Sequence, residues 1–245
     1  MRLTRIHVPD ALVPGTEIVL PAQAGEHLTR VLRLPPGAPF TLFNGAGGEF
    51  AAALKESAGK RVSAHVLAHA AVERESPLQV TLLQGIARGE RMDLIVQKAT
   101  ELGATRIVPF LAERSVVKLD AKQRLRKREH WQAIAISACE QCGRNRVPVI
   151  GEPAPLGEAI RDLAAGAPRF LLAADGEASL AAIAARDGLA LILLIGPEGG
   201  LADNERQFAQ ANGFTAARMG PRIMRTETAS LAALAVLQTV AGDFR

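Results

Sequence analysis

The rhythm of apolar and polar positions changes near residue 75. Before it, short runs with strand character cover 17–20, 39–43, 49–54 and 61–67. Between the middle two lies "NGAGG" at 44–48, whose residues tolerate positive φ, so it predicts a hairpin turn. One short helix is predicted over 25–33, "GEHLTRVLR", because Leu28, Val31 and Leu32 fall at i, i+3 and i+4 on one face. A small β-barrel or sandwich accounts for this part. The charged, proline-ended run "AVERESP" at 71–77 suits a linker.

After the linker, strand-like and helical runs alternate. Strands are predicted over 79–86, 106–110, 169–173, 190–195 and 215–219, and helices over 92–102, 120–143, 203–212 and 227–240. That alternation implies parallel pairing, an α/β sheet with helices on both faces. The run "LALILLI" at 189–195 has no polar alternation, as expected of a central strand buried on both sides.

Composition changes this picture little. The chain has 245 residues, 48% of them apolar, enough for a core that needs neither disulfide nor metal. The net charge of +4 favours a phosphate-bearing partner only where the excess is clustered. There is no apolar run of signal-peptide length at the start, nor one approaching the roughly 18–20 residues of a membrane span. The chain therefore reads as soluble, cytoplasmic and not membrane-bound. Cys139 and Cys142 form a single C-x2-C late in a predicted helix, and the five histidines are scattered. Packing suits the cysteines better than zinc or redox chemistry, and no metal is expected. Trp131 reads as core.

Candidate chemistry sits at two turns. "LILLIGPEGG", at 191–200, runs a strand into a loop of three glycines, a proline and one carboxylate. In an open α/β sheet, ligands bind beyond the carboxyl ends of strands. The loop fits neither a Walker motif nor a G-x-G-x-x-G fingerprint. Pro197 lacks an N–H, and Glu198 would repel a phosphate, so the loop favours a ligand that is neutral or cationic there. A plain strand-to-helix turn, with Asp203 capping the helix, is the competing reading. The second turn, "MGPRIMRTETAS" at 219–230, precedes an apolar helix that Thr226 or Thr228 can cap, with Glu227 near its positive end. Arg222 and Arg225 stand beside it. Surface charge is the competing reading for both.

Basic residues outnumber acidic ones from Arg114 to Arg146. A solvated helix face competes with an RNA surface, and the run "CGRNRVP" tips the reading toward RNA. Arg114, Lys118, Arg144, Asn145 and Arg146 are the candidates, with Arg5, Arg30 and Arg33 in the first part of the chain.

Seven pieces in order, "RIHVPD" at 5–10, "HLTRVLR" at 27–33, "RGERMDLIVQKATELGATRIVPF" at 88–110, "ERSVVKLD" at 113–120, "AISACEQCGRNRVP" at 135–148, "LLIGPEGG" at 193–200 and "MGPRIMRTETA" at 219–229, resemble the RsmE family. These are 16S ribosomal RNA uridine N3-methyltransferases of the SPOUT class. Met219 departs from the leucine common in the family. The resemblance implies an RNA-binding PUA-like β-barrel over 1–72 and a SPOUT methyltransferase domain over 73–245, its C-terminal segment tied in a trefoil knot. It also implies S-adenosylmethionine as methyl donor, a homodimer, and 16S ribosomal RNA within the small subunit as partner. Leu172, Ile195, Gly196, Pro197, Gly199, Gly200, Met219, Gly220, Ile223, Met224 and Thr226 become donor-site candidates. Arg225 is the first candidate for stabilising charge on the uracil carbonyls and Arg222 the second; Glu198 accepts a proton or orders its loop. Methylation of another RNA position, or RNA binding without catalysis, are the alternatives.

Overall fold

The computed structural model describes residues 4–55, 61–115, 117–163, 165–184 and 189–244. The chain forms two compact units. The first comprises residues 1–75 together with 139–147, the second residues 76–138 and 148–245.

In the first unit, the described strands β1 (Arg5–His7), β2 (Glu17–Val19), β3 (Pro39–Phe43), β4 (Glu49–Leu54) and β5 (Ser63–Ala70) pair in the order β1-β3-β4-β5-β2. β3 and β4 form the expected hairpin, with Thr41 opposite Ala51. Its turn needs left-handed backbone at Gly45, Gly47 and Gly48, and Asn44 accepts the Ala46 N–H at 3.1 Å. Alternate side chains, among them Phe40, Leu42, Phe50, Ala52, Leu54, Ala64 and Val66, share one core, as period-two patterning requires. β1 was not expected. Three residues are too few for a periodic signal, and it is held by parallel pairing to β3.

The helix expected over 25–33 is displaced. Helix α1 (Ala22–Glu26) starts after Pro21 and runs into a π turn, His27–Val31, where the Leu32 N–H bonds the His27 carbonyl at 2.9 Å. A π turn rotates less per residue than an α turn, so the i, i+3, i+4 face does not hold. Leu28 is buried, whereas Val31 is 65% and Leu32 40% exposed.

In the second unit, helices α2 (Glu90–Glu101), α3 (Ala121–Cys142, whose last turn belongs to the first unit), α4 (Leu156–Arg161), α5 (Leu180–Ala184), α6 (Asp203–Ala211) and α7 (Thr226–Ala241) accompany a parallel sheet. Its strands are β6 (Gln79–Gly85), β7 (Ala104–Leu111), β8 (Val149–Ile150), β10 (Arg169–Leu172), β11 (Ala178–Ser179), β12 (Ala190–Ile195) and β13 (Phe214–Arg218), in the order β11-β13-β10-β12-β6-β7-β8. β9 (Ala154–Pro155) pairs with β7. The two-residue strands, α4 and α5 carry too few periodic positions to be read from sequence. β12 is central and buried on both faces. Ile192 and Leu194 join a core with Leu156, Ile160, Ala209 and Phe214, and the alternate residues Leu191, Leu193 and Ile195 are equally buried. Trp131 is in the core, its indole N–H donated to Asp93 at 2.9 Å. Among the described residues, no helix is long and apolar enough to cross a membrane and no group of three His, Cys, Asp or Glu could hold a metal.

Candidate functional site

The carboxyl ends of β10, β12 and β13, together with the start of α7, enclose a cavity of about 600 Å³, within the range of sites for drug-sized ligands. Its walls are Leu171–Ala174 at the end of β10, the loop after β12, and the loop 219–225 after β13. The two turns singled out in the sequence thus face one space.

The loop after β12 is locked. Gly200 donates its N–H to the Pro197 carbonyl at 2.9 Å and takes φ +67°. Pro197 is seated on Gly85 at the end of β6, where any Cβ would overlap its ring. The Thr226 hydroxyl donates to the Gly196 carbonyl at 2.7 Å and accepts from Gln84 Nε2 at 3.0 Å. The Ser230 hydroxyl lies 2.6 Å from Gln84 Oε1 and 2.8 Å from the Thr226 carbonyl, so it completes the network. Gln84 and Ser230 are fully buried and Thr226 is 5% exposed, so β6, the loop and α7 are joined by a satisfied polar core. The loop 219–225 is open by comparison. Gly220 has φ +86° with nothing near its would-be Cβ, and Ile223 is 90% exposed.

Ten of the eleven donor-site candidates line this cavity: Leu172, Ile195, Gly196, Pro197, Gly200, Met219, Gly220, Ile223, Met224 and Thr226. Thr226 acts through its neighbours, because its hydroxyl is already engaged at both ends. Gly199 does not line this cavity. It borders a second one, and a Cβ there would stand 2.9 Å from the Arg114 carbonyl. Neither Thr226 nor Thr228 caps α7; Arg225 is the N-cap residue, with no side-chain hydrogen bond. Asp203 likewise lies inside α6, and Glu205 bonds the Ala202 N–H at 2.9 Å instead.

Arg222, Arg225 and Glu198 all reach the cavity. The guanidinium groups of Arg222 and Arg225 make no ion pair among the described residues. Glu198 is pinned: its Oε1 accepts the Arg88 N–H at 3.0 Å and Arg91 Nη1 at 2.9 Å. Partial burial opposes its ionisation, but these hydrogen bonds prevail and hold the carboxyl below the usual glutamate range. A carboxylate so stabilised is a poor proton acceptor at neutral pH, and its charge is compensated before any ligand arrives. The expectation that Glu198 selects a neutral or cationic ligand therefore loses its basis, and loop ordering is the role the geometry supports.

The sequence reading missed Arg91 and Arg206, which line the cavity from α2 and α6. Arg206 is held by Asp175 through two contacts of 2.8 and 2.9 Å. Both arginines sit on helices that precede or follow the signature loops; the motif "RGERMD" carries Arg91, and nothing in the sequence singles out Arg206.

The RNA candidates divide. Arg30, Arg33, Arg114, Lys118 and Arg146 are exposed, and Arg33 adopts left-handed backbone. Arg5, Arg144 and Asn145 are not: they are 7%, 5% and 0% exposed within the first unit. Arg5 bonds Glu49 at 2.5 Å and the Asn145 side chain at 2.5 Å and stacks over Phe43. Arg144 forks onto Glu75, with Nη2 at 2.6 Å. Buried guanidiniums with satisfied carboxylates are structural pairs, and they draw the segment 139–147 into the first unit, which a boundary at residue 72 does not anticipate. Burial pushes the Cys139 thiol up to about 12, so it stays protonated and packs.

Comparison with known proteins agrees with this geometry. The sequence profile of an RNA methyltransferase domain matches residues 74–238, and that of an RNA methyltransferase PUA domain matches residues 20–67. The chain is 34% identical over 238 residues to ribosomal RNA small subunit methyltransferase E of Bacillus subtilis, covering 94% of this chain and 90% of that protein. The crystal structure of a ribosomal RNA small subunit methyltransferase E from Neisseria gonorrhoeae bound to S-adenosyl methionine superposes with a TM-score of 0.94 at 38% identity, covering both chains fully. A methyltransferase of Legionella pneumophila in complex with the same cofactor gives 0.92 at 38% identity, again over both full chains.

Proposed function

We propose, from the premise that the chain belongs to the ribosomal RNA small subunit methyltransferase E family, that it methylates N3 of one uridine in 16S ribosomal RNA with S-adenosylmethionine as donor. The observation that carries this reading is the single cavity shared by the "GPEGG" and "GPRIMR" loops. Its size and its lining of Leu172, Ile195, Met219, Ile223 and Met224 suit a nucleoside. Open space at Gly200 and Gly220 leaves the backbone accessible. When bound there, the donor supplies a methyl group made electrophilic by a sulfonium.

The chain's own residues do the rest. The Gln84–Thr226–Gly196 network fixes one wall, so the cavity needs little ordering when a ligand enters. Arg225 and Arg222 line the same space and make no ion pair among the described residues. There they orient the uracil through O2 and O4 and stabilise the negative charge that grows as the N3 proton leaves to water. Glu198 holds the loop in place. The homodimer, the trefoil knot and the cytoplasmic setting belong to the same proposal, supported by the resemblance of motifs along nearly the whole chain. The exposed Arg30, Arg33, Lys118 and Arg146 are its candidate RNA contacts.

The test uses small ribosomal subunits from cells lacking this protein, incubated with enzyme and isotope-labelled donor and read by mass spectrometry of the digested RNA. One labelled N3-methyluridine is expected. Label on another atom would move the target, and absence of label would leave RNA binding without catalysis.

A further inference from the structure

Beside the donor cavity lies a second one of about 260 Å³. The two share Arg91, Pro197 and Glu198 as a common wall, and the far side of the second is made by Arg88, Arg114 and Ser115. We propose that this cavity grips a backbone phosphate of the RNA next to the target nucleotide, with Arg88 and Arg114 as its ligands. The inference rests on the methyltransferase reading and deepens it.

Charge carries the argument. Three arginines and one glutamate line the cavity. That carboxylate, Glu198, is already taken by Arg91 and by the Arg88 N–H. Arg91 also lies 3.8 Å from Glu227, so its charge is spoken for twice. Arg88 has no side-chain hydrogen bond or ion pair among the described residues. Arg114 has only Asp203, at 3.9 Å and with an aspartate side chain 94% exposed, a pair that water largely screens. Two arginines without a strong side-chain partner among the described residues therefore line this space, and guanidinium forks match phosphate oxygens. Ser115 Oγ accepts the Val117 N–H at 3.2 Å, which leaves its hydroxyl hydrogen available to a third oxygen.

The shared wall gives the cavity its role. An enzyme that acts on one base of a folded RNA must hold that nucleotide out of its stack, and this needs a grip on the flanking backbone. A phosphate in the second cavity would leave its own base at the mouth of the first. Gly199 makes the closeness possible. A Cβ on Gly199 would stand 2.9 Å from the Arg114 carbonyl, so any side chain would push the two loops apart.

The test compares wild type with Arg88→Ala, Arg114→Ala, the double variant and Arg88→Lys on unmodified small subunits over a range of salt. Each alanine variant is expected to raise the KM for subunits about tenfold and to lower the slope of log affinity against log salt by about one. The double variant should lower it by about two, and Arg88→Lys should keep it. Donor affinity by calorimetry and the thermal midpoint should not move. If wild type methylates the subunits and the double variant keeps its salt slope and KM, the phosphate site falls alone. If donor affinity drops at an unchanged thermal midpoint, the anion bound there is the donor's own carboxylate and the inference is overturned. If wild type transfers no methyl group, the functional reading itself has failed.

Discussion

Some arginines of the first unit and some of the second meet opposite fates. Arg5 and Arg144 are sealed inside a lattice of Glu49, Glu75 and Asn145. Among the described residues, Arg88, Arg222 and Arg225 make no ion pair, and all three line one of two cavities. The difference is supplied by acids distant in sequence: Glu49 lies 44 residues from Arg5, and Glu75 lies 69 from Arg144. A cation is structural where the fold brings a carboxylate to it and functional where the fold withholds one. Two residues after Arg144, Arg146 is 58% exposed at its side chain, and its one carboxylate among the described residues, Glu73 at 3.8 Å, is itself 38% exposed, a pair that water largely screens. Within one run of sequence, then, the same residue type divides between the two roles.

The sharpest way to break this comparison is to treat a structural arginine as a functional one. Arg144→Ala leaves the largely buried Glu75 carboxylate without its fork. Removing one partner of a buried pair costs about 3–5 kcal/mol, so the first unit should lose most of its protection in hydrogen exchange and unfold at lower denaturant. Replacing both residues with apolar ones should cost less than the single change, because no charge is stranded. If Arg144→Ala instead left stability unchanged and weakened only RNA binding, the separation of the two classes would be wrong.

Arg225→Ala is the counterpart in the second unit. The side chain has no ion pair to lose among the described residues and serves as N-cap residue only through its backbone. Stability and donor affinity should stay within a factor of two. Turnover should fall by about 10²-fold, the usual loss when one charge-stabilising donor is removed. Single-turnover methylation of small subunits measures it, and an unchanged rate would remove Arg225 from the mechanism.

These contrasts show which parts of the molecule were legible in the sequence. The parallel sheet was, because "LALILLI" lacks polar alternation and β12 is indeed buried on both faces. The first cavity was legible at its two loops, since glycine and proline mark backbone that turns or yields space. Its supporting network was not. Gln84, Thr226 and Ser230 are 142 and 146 residues apart in the pairs they form, and a buried glutamine carries no periodic signal. The cavity that Gly199 borders was hidden for a similar reason: the loop was visible, but which of two cavities each of its glycines borders depends on Arg114, a residue from another strand end. The π turn at His27–Val31 defeated a helical template that assumes 3.6 residues per turn.

The smallest effect expected is also the one that separates ordering from chemistry at Glu198. Its folded pKa lies below the ordinary glutamate range, because hydrogen bonds from the Arg88 N–H and from Arg91 outweigh the cost of partial burial. A depressed carboxyl contributes fully above its unfolded pKa and loses that contribution as pH falls through the lower, folded value. The stability that these hydrogen bonds give the loop should therefore be complete from neutral pH down to about 4.3, the unperturbed glutamate value, and should be lost only below it. Glu198→Gln keeps the shape but weakens both hydrogen bonds, so the loop should loosen and donor affinity should drop a few-fold at neutral pH, with no further step in acid. Turnover at saturating donor should stay within a few-fold of wild type. Were Glu198 instead the group that takes the N3 proton, the glutamine variant would bind the donor normally and lose turnover by about 10²–10⁴-fold. Calorimetry across pH 4–7, read beside single-turnover rates, distinguishes the two, since the pinned carboxylate predicts a change in binding and the base predicts a change in rate.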